Sequence, residues 1–225
     1  MGLLFGAIGD DVTGSTDLAL MLGKQGMSVV QYIGIPDPKA DTEDAQAAVI
    51  ALKTRTAPVE EAVSKSLEAC RWLLDRGARQ IYFKYCSTFD STEEGNIGAV
   101  AEALLQKLGG GVTVFCPSFP ANRRTLYQGH LFVGEKLLSE TGMREHPLTP
   151  MRDSNLVRFL GKQVSRPEAV GLVPLPVVEE GAGSIQEEIH RLAGEGMSYL
   201  LVDALTNRHL LDIGKACKDL KLVTG

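Results

Sequence analysis

The sequence predicts an α/β fold with an open, mostly parallel sheet, helices on both faces and an irregular insertion after a central strand. Apolar runs of strand length alternate with amphipathic stretches of helix length, which is typical of βαβ units. The chain has 225 residues, of which 44% are apolar and 23% charged, as in an average soluble domain. A chain of this size can bury a large core without a metal or a disulfide. We therefore expect one α/β domain with six or seven strands.

The predicted elements follow from short apolar runs and from the residues that end them. The first strand, residues 3–8, leads into the sequence GDDVTG and a helix over 15–25, which Gly26 ends as a C-cap. Pro58 is typical of the first turn of a helix and predicts one that reaches Gly77. Three consecutive glycines at 109–111 separate a helix from a strand, as expected for a C-cap turn. Further strands are predicted at 28–33, 47–53, 80–85, 112–116, 169–175, 199–202 and 222–223, and further helices at 95–108, 185–192 and 208–220.

Residues 117–150 interrupt this alternation. They hold four of the ten prolines, two adjacent arginines and a candidate hairpin around 130–133. Long irregular segments after a parallel strand are usually functional, so we expect this insertion to fold over one end of the sheet. Asp153 is the expected N-cap of the next helix.

Composition and charge exclude several classes of function. The formal net charge is −5, and no segment is basic enough to bind nucleic acid. No apolar run approaches the length of a membrane span, and the first residues lack the basic region of a signal peptide. Four scattered cysteines without a CxxC pair argue against a zinc site, so no metal site is predicted. Buried, reduced thiols in a cytoplasmic protein are the favoured interpretation.

Polar loops follow several predicted strands at the edge where ligands bind in open parallel sheets. In the first loop, Asp10 and Asp11 are adjacent, so we expect that they cannot both face one spot. One of them is a candidate to bind a substrate hydroxyl or accept its proton, while the other, or Thr13, caps the helix. An equally frequent interpretation is that both acids only cap and solvate the helix start.

Two later loops carry further candidates. Lys84 is followed by hydroxyl and acidic residues that suit a small polyhydroxylated carboxylate, although part of this loop should cap the next helix. Arg123 and Arg124 could form a clamp on a carboxylate, but adjacent arginines are more often solvated. His130 and His146 are expected to make local hydrogen bonds. The candidates in these loops are Lys84, Ser87, Thr88, Asp90, Arg123 and Arg124.

Nucleotide-binding motifs are absent from the sequence. Neither GxGxxG nor GxxxxGK[ST] occurs, so no complete nucleotide site is predicted. The acids at positions 10 and 11 are also one position too close for the Asp-x-Asp-x-Thr motif of a phosphoaspartate hydrolase.

Four segments in one order resemble the four-carbon acid sugar kinase family, which includes 3-oxo-tetronate, threonate and erythronate kinases. The segments are GDDVTGSTD at 9–17, KYCSTFDST at 84–92, YQGHLFV at 127–133 and HPLTPMRDSNL at 146–156. Proteins of this family have an amino-terminal domain that binds the sugar acid and a carboxyl-terminal domain that binds ATP. The resemblance therefore implies that residues 1–225 are a sugar-acid-binding domain without its ATP-binding domain.

The resemblance also implies roles for the candidate residues. Asp10 and Asp11 would orient hydroxyls, and one of them could be a base. Arg123 or Arg124 would meet the carboxylate, and the pocket would be lined by Lys84, Ser87, Thr88 and Asp90. ATP and magnesium would act only in the two-domain parent, so this chain alone is expected to be inactive. The expected partners are a sugar acid and the nucleotide-binding domain, with no nucleic acid or membrane, and homo-oligomers are left open.

Two other hypotheses belong to different classes. The chain could be a stand-alone module that binds or senses a small hydroxy acid without turnover, which the missing nucleotide motifs favour. It could also be a hydrolase or aldolase that uses Lys84, which would require a buried lysine with a lowered pKa.

Overall fold

Eight parallel strands form one sheet in the computed structural model, which describes residues 2–42 and 44–225. The strands are β1 (Phe5–Gly9), β2 (Val29–Ile33), β3 (Ala47–Ala51), β4 (Gln80–Lys84), β5 (Thr113–Phe115), β6 (Arg124–Tyr127), β7 (His130–Val133), β8 (Lys136–Leu137), β9 (Val170–Val173), β10 (Tyr199–Val202) and β11 (Leu222–Thr224). The main sheet has the order β2-β3-β1-β4-β11-β5-β10-β9, and its strand pairs are parallel. The open parallel sheet confirms the predicted fold class. Each of its eight strands overlaps one of the ranges predicted from the sequence, so the expected count of six or seven was too low although the ranges were found.

Helices cover both faces of the sheet, as predicted. They are α1 (Val12–Lys24), α2 (Val59–Asp75), α3 (Asn96–Lys107), α4 (Leu156–Gly161), α5 (Leu175–Glu179), α6 (Ala182–Gly194) and α7 (Asn207–Ala216). Alternate residues of β10 point to opposite faces, since Leu201 joins the core cluster with α2, α3 and α4, while Leu200 joins the cluster with α5, α6 and α7. Within the described part of the chain, no helix has the length and apolar character needed to cross a membrane.

Helix α1 lies on the face opposite α2. Residues Ala48 and Ile50 of β3 belong to the core cluster that contains α2. Because side chains alternate along a strand, Ala47 and Val49 point to the other face, where α1 contacts β1, β2 and β3. Helix α1 therefore leaves β1 on one face, while α2 and α3 pack together on the other. This divergence opens the carboxyl edge of the sheet beside β1.

The last strand in sequence, β11, lies in the middle of the sheet between β4 and β5. Its backbone bonds to both neighbours: Gly225 N donates to Phe83 O at 3.1 Å, and Cys116 N donates to Thr224 O at 3.0 Å. The hydroxyl of Thr224 adds a bond to Val114 O and lies 3.0 Å from the hydroxyl of Tyr85. Residues 222–223 were predicted as a strand, but the pattern did not predict this central position.

The insertion after β5 contains more regular structure than the sequence predicts. Strands β6, β7 and β8 form a separate antiparallel sheet, which confirms the candidate hairpin around 130–133. Leu126 and Ala204 exchange two backbone hydrogen bonds of 3.0 Å. The buried carboxylate of Asp203 accepts backbone hydrogen bonds from Gln128, Gly129 and Leu175. These bonds tie the insertion to the end of β10.

Several predicted helix ends shift because of capping. Helix α1 begins at Val12 rather than at residue 15, because Asp11 is its N-cap. Asn155, and not Asp153, caps α4: its side chain accepts from Arg158 N at 2.9 Å, while Asp153 accepts from Asn155 N. The strand predicted at 169–175 ends at Val173, because Pro174 is the N-cap of α5.

The four cysteines are free thiols, as predicted. Cys70 and Cys217 are buried, whereas Cys86 and Cys116 are only partly buried, so the prediction of buried thiols is confirmed for two of the four. Burial raises the pKa of Cys70 to about 11 and that of Cys217 to about 12. Both are therefore protonated at neutral pH, and such thiols are inert. They fit the predicted role of small apolar residues in the core.

Truncation after Lys221 should abolish cooperative unfolding, because it removes the strand that joins β4 to β5. Removal of Gly225 alone is the matched control, since it keeps β11 and loses only the two ladder bonds that Gly225 makes with Phe83 and Tyr85. That control should fold and lose about 2 kcal/mol in the free energy of unfolding. Urea unfolding followed by circular dichroism checks both, and a cooperative transition in the longer truncation would contradict the prediction.

Candidate functional site

Loops from three adjacent strands meet at the carboxyl edge of the sheet around the end of β1. Asp10 N donates to Lys84 O at 3.0 Å, and Thr54 N donates to Asp10 O at 3.0 Å. The loop after β1 is therefore bonded to the ends of both β4 and β3. This arrangement brings candidates from the first and second predicted loops into one region.

A close approach of helix α1 to the sheet explains Gly9. A Cβ on this residue would lie 1.9 Å from Ser15 Oγ and 3.2 Å from Ser15 Cβ. Ser15 is fully buried in α1, and its hydroxyl donates to Asp11 O at 2.5 Å. The first turn of α1 is thus packed against the end of β1, which holds Asp11 in place.

Asp11 is the N-cap of α1, as one of the predicted interpretations had it. Its Oδ1 accepts a hydrogen bond of 2.6 Å from Gly14 N, which satisfies one of the free amides of the first turn. Its other oxygen, Oδ2, lies 2.6 Å from Arg55 Nη2. Capping therefore occupies only part of this carboxylate, whose side chain is 31% exposed.

Arg55 joins the two adjacent acids, and sequence reasoning missed it. Its Nε donates to Asp10 Oδ2 at 3.0 Å and its Nη2 to Asp10 Oδ1 at 2.8 Å, which is a bidentate pair. Because the same Nη2 also contacts Asp11, the expectation that Asp10 and Asp11 cannot face one spot is wrong. Arg55 follows β3, so the rule that selected the other loops could have selected it.

Burial and neighbouring charges shift the pKa values of the ionisable groups in this cluster. Burial raises the pKa of Asp10, which is 4% exposed, while the hydrogen bonds and charge of Arg55 oppose that rise. Burial acts to lower the pKa of Arg55, but Asp10 outweighs it and the pKa lies above its ordinary value. Burial lowers the pKa of Lys84, and Asp10 and Asp11 partly offset this change. The Lys84 ammonium donates to the Tyr85 carbonyl.

The second candidate loop is shaped by a strained residue. Phe89 has a φ of 52°, a left-handed conformation that is rare for a bulky side chain. Its ring is fully buried and meets Tyr85 and Phe159 edge to face at 5.3 and 6.1 Å. The two residues that flank Phe89 are joined by a hydrogen bond, which the Thr88 hydroxyl donates to Asp90 Oδ1. Core packing thus holds a residue whose strain is often found at functional sites.

Asp90 extends the acidic cluster around Arg55. Its Oδ2 lies 3.9 Å from Arg55 Nη1, and its side chain is 13% exposed. Asp10, Asp11 and Asp90 therefore surround a single guanidinium. Of the predicted site residues, Asp10, Asp11, Thr88 and Asp90 are brought together in this way.

A cavity of about 320 Å³ lies beside Arg55. Its walls include the amino-terminal ends of α2 and α3 and two residues of the insertion, Leu148 and Thr149. Neither helix is capped by the side chain of its own N-cap residue. In the first turn of α3 the Gln163 side chain accepts from Gly98 N at 2.8 Å, whereas the first turn of α2 has no such side-chain partner among the described contacts. The cavity is large enough for a small polar molecule.

Lys84 and Ser87 line a different cavity, of about 240 Å³. It lies between α1 and α7, with Met21 and Leu210 on its walls and Tyr82 at the sheet. Lys84 still approaches the cluster of acids around Arg55, because its Cε lies 3.9 Å from the point where a Cβ on Gly14 would stand. Ser87 has no such link to the acidic cluster among the described contacts.

Arg123 and Arg124 lie on the insertion, and their contacts are local. Arg123 has a φ of 58° and pairs with Glu135 at 3.3 Å, where both side chains are largely exposed. Arg124 donates from Nη1 to Asn122 O at 2.6 Å. Within residues 2–42 and 44–225, the described ion pairs do not join either arginine to Asp10, Asp11 or Asp90.

Both predicted histidines make local hydrogen bonds. His130 Nδ1 lies 2.8 Å from Gln128 O, and His146 Nδ1 lies 2.9 Å from the Thr149 hydroxyl. His146 thereby supports Thr149, which lines the cavity beside Arg55.

The parallel sheet and the polar cluster at its carboxyl edge define an open α/β protein, the class in which small ligands bind at that edge. A family model described as "Sugar-binding N-terminal domain" matches residues 5–225. The chain belongs to this family, which agrees with the resemblance found in the sequence.

Relatives and solved structures extend this comparison. The 3-oxo-tetronate kinases of Burkholderia multivorans and Escherichia coli are 54% and 49% identical over 99% and 98% of this chain, and over 51% and 56% of their own lengths. A Haemophilus influenzae protein of known structure is similar with a TM-score of 0.94 and 47% identity, over 98% of this chain and 53% of its own. The chain thus spans about half the length of the curated relatives it matches.

A more distant structure comes from Bordetella bronchiseptica. It matches with a TM-score of 0.78 and 25% identity, over 100% of this chain and 54% of its own. It is described as a domain-swapped dimer with bound citrate.

The substitution Gly9→Ala should lower the free energy of unfolding by about 1–3 kcal/mol, because the new methyl group would collide with Ser15 Oγ. In the Ser15→Ala background, where the clashing oxygen is gone, the substitution Gly9→Ala should cost much less free energy of unfolding than it does in the wild type. Urea unfolding of the four proteins in this cycle measures the coupling. Strictly additive losses would contradict the close packing of α1 on β1.

Proposed function

We propose that this chain is the sugar-acid-binding half of an ATP-dependent kinase that phosphorylates the terminal hydroxyl of a four-carbon sugar acid. The observation that carries this proposal is the cluster of Asp10, Asp11 and Asp90 around Arg55 beside an open cavity. Carboxylates accept hydrogen bonds from hydroxyl groups, and each oxygen can accept more than one. The cluster is therefore suited to fix the hydroxyl end of a polyol chain.

Exposure assigns different tasks to the two adjacent acids. The side chain of Asp11 is 31% exposed, whereas that of Asp10 is 5% exposed and lies behind it against Arg55. Asp11 would contact the substrate hydroxyl, and Asp10 would hold the guanidinium. A loose transition state for phosphoryl transfer needs an oriented hydroxyl more than a strong base, so orientation by Asp11 is the main contribution proposed here.

The substrate class is proposed from chemistry and from the relatives. The curated relatives are named 3-oxo-tetronate kinases, and the Bordetella protein holds citrate, which is also a hydroxy acid. In this chain, three carboxylates face one guanidinium, so the cluster repels rather than attracts a ligand carboxylate. The substrate carboxylate would therefore lie away from it, towards the backbone amides at the start of α2 in the cavity beside Arg55.

In the longer relatives, ATP and magnesium would be bound by the half that this chain does not match. The described residues contain no group of three or more acidic, histidine or cysteine side chains arranged to hold a metal ion, and Asp10 is already paired with Arg55. These residues therefore do not fit a magnesium site, and no step through the metal is derived for this chain. By itself the chain would bind the sugar acid and leave it unchanged.

The substitution Asp11→Asn should weaken binding of 3-oxo-tetronate, threonate or erythronate about tenfold or more, because a neutral amide binds a hydroxyl less strongly than a carboxylate. Asparagine is as good an N-cap as aspartate, so the midpoint of thermal unfolding should change little. Isothermal titration calorimetry on the 225-residue chain measures the affinity for each acid.

The control for this experiment is Asp219→Asn, which makes the same change at an exposed residue outside the site. If Asp11 acts only as a cap, Asp11→Asn should bind as tightly as the wild type. Unchanged affinity together with strong wild-type binding would contradict the role given to Asp11. No binding of any of the three acids by the wild type would contradict the proposed substrate class.

A carboxylate clamp by Arg123 or Arg124 stays a prediction. Alanine substitutions should differ, because the Arg124 side chain is partly buried whereas that of Arg123 is 69% exposed. If such a clamp holds the carboxylate, Arg124→Ala should cost affinity for the acid and Arg123→Ala should have almost no effect; if the helix amides hold it, both substitutions should be silent. The same calorimetric assay checks both, and equal, negligible effects would remove the clamp.

A further inference from the structure

Arg55 touches more of the candidate site than any other cation described there. Its Nε and Nη2 form the bidentate pair with Asp10, and Nη2 also contacts Asp11 at 2.6 Å. Its Nη1 is 3.9 Å from Asp90. The Nε–Nη2 edge of the guanidinium therefore donates to Asp10, and Nη2 also lies against Asp11, while Nη1 has no hydrogen bond among the described contacts.

The carboxylates around Arg55, rather than a shortage of N–H groups, oppose its binding to a ligand anion. The cluster contains three carboxylates and one guanidinium, and its remaining cation, Lys84, donates to the Tyr85 carbonyl. A ligand carboxylate that approached Arg55 would meet Asp10, Asp11 and Asp90 at the same time. Like charges at such short range oppose each other strongly in a partly buried site.

We propose that Arg55 is a positioning residue that acts through Asp10 and Asp11 and does not contact the ligand carboxylate. It fixes the two adjacent side chains on one guanidinium nitrogen and offsets the cost of burying the Asp10 carboxylate, so that Asp11 presents an oxygen to the ligand hydroxyl. This inference rests on the proposed function, since the ligand is the sugar acid described above.

The electrostatic surroundings of Asp10 support this role. Burial raises its pKa, and Arg55 is the strongest influence that lowers it. The other charged or titratable groups that face the cluster are Asp11 at the start of α1, Lys84 at the end of β4, and Cys86 and Asp90 in the loop that follows. Without Arg55, burial and Asp11 both favour the protonated form of Asp10, and only Lys84 opposes them.

The first test reads the protonation of Asp10 directly. In protein labelled with ¹³C at the aspartate carboxyl groups, the Asp10 signal is assigned by its loss in Asp10→Asn and followed by NMR from pH 3 to pH 9. Its titration midpoint should rise by about 1 pH unit or more in Arg55→Gln. In Arg55→Lys, which restores the charge without the bidentate geometry, the Asp10 midpoint should lie between those of the wild type and Arg55→Gln. The control Arg191→Gln, on α6, breaks an exposed pair with Glu195 and should leave the midpoint unchanged.

The second test separates positioning from direct contact. Over pH 5 to 9 the ligand carboxylate stays ionised, so loss of a direct Arg55–ligand contact would weaken binding equally at every pH. If Arg55 acts through the acids, the loss in Arg55→Gln should be about tenfold or more at pH 5 and should shrink as Asp10 ionises at higher pH. Calorimetric titrations of wild type, Arg55→Gln and Arg55→Lys measure this dependence.

The two tests fail independently. An Asp10 midpoint that is unchanged in both Arg55 variants, or an affinity loss that is the same from pH 5 to 9, would overturn the positioning role. Absence of sugar-acid binding by the wild type would overturn the proposed function, while the carboxyl titration would still decide whether Arg55 controls the ionisation of Asp10. If Arg55→Gln does not fold, Arg55→Lys supplies both readouts.

Discussion

The pairing of β11 with β4 and β5 is the interaction on which the rest of the structure depends. This strand closes the gap between the part of the sheet formed by residues 2–84 and the part formed by β5, β9 and β10. Gly225 O also accepts from Tyr85 N at the point where the second candidate loop begins. A contact between residues 140 positions apart thus fixes the start of a loop that carries Thr88 and Asp90. Such long-range pairing has a high entropic cost, which is met only when the whole sheet forms.

The candidate site follows from the direction in which the chain leaves each strand. Helix α1 leaves β1 on one face, and α2 and α3 follow β3 and β4 on the other, so the edge beside β1 is not covered by a helix passing over it. The polar side chains there are then set by short connections: Asp11 by the cap of α1, Arg55 by the three residues that separate it from β3, and Asp90 by the strained turn at Phe89. Rigid elements hold all three.

Periodicity and turn residues were sufficient to predict the class of fold, both layers of helices and most of the strands. They could not predict that residues 222–223 enter the centre of the sheet, because strand order depends on contacts that no local pattern records. The candidate site was predictable only in part, because it too depends on contacts between residues that are distant in sequence. Asp10, Asp11, Thr88 and Asp90 follow strands, but the link between them is Arg55, which lies 45 positions from Asp10. The start of α1 was misplaced by three residues, because Asp11 and not a later residue is the cap.

Adjacent carboxylates in an extended chain normally point apart, and Asp11 has the extended dihedral angles that would produce this. Arg55 changes the outcome because a guanidinium presents several N–H groups in one plane and can meet two carboxylates at once. The cost of burying Asp10 is thereby offset, while Asp11 remains within reach of solvent. One acid is structural and the other is available, although their sequence positions are equivalent. This difference in exposure, rather than the acidic pair as such, is what the role proposed for the GDD sequence in orienting a ligand hydroxyl depends on.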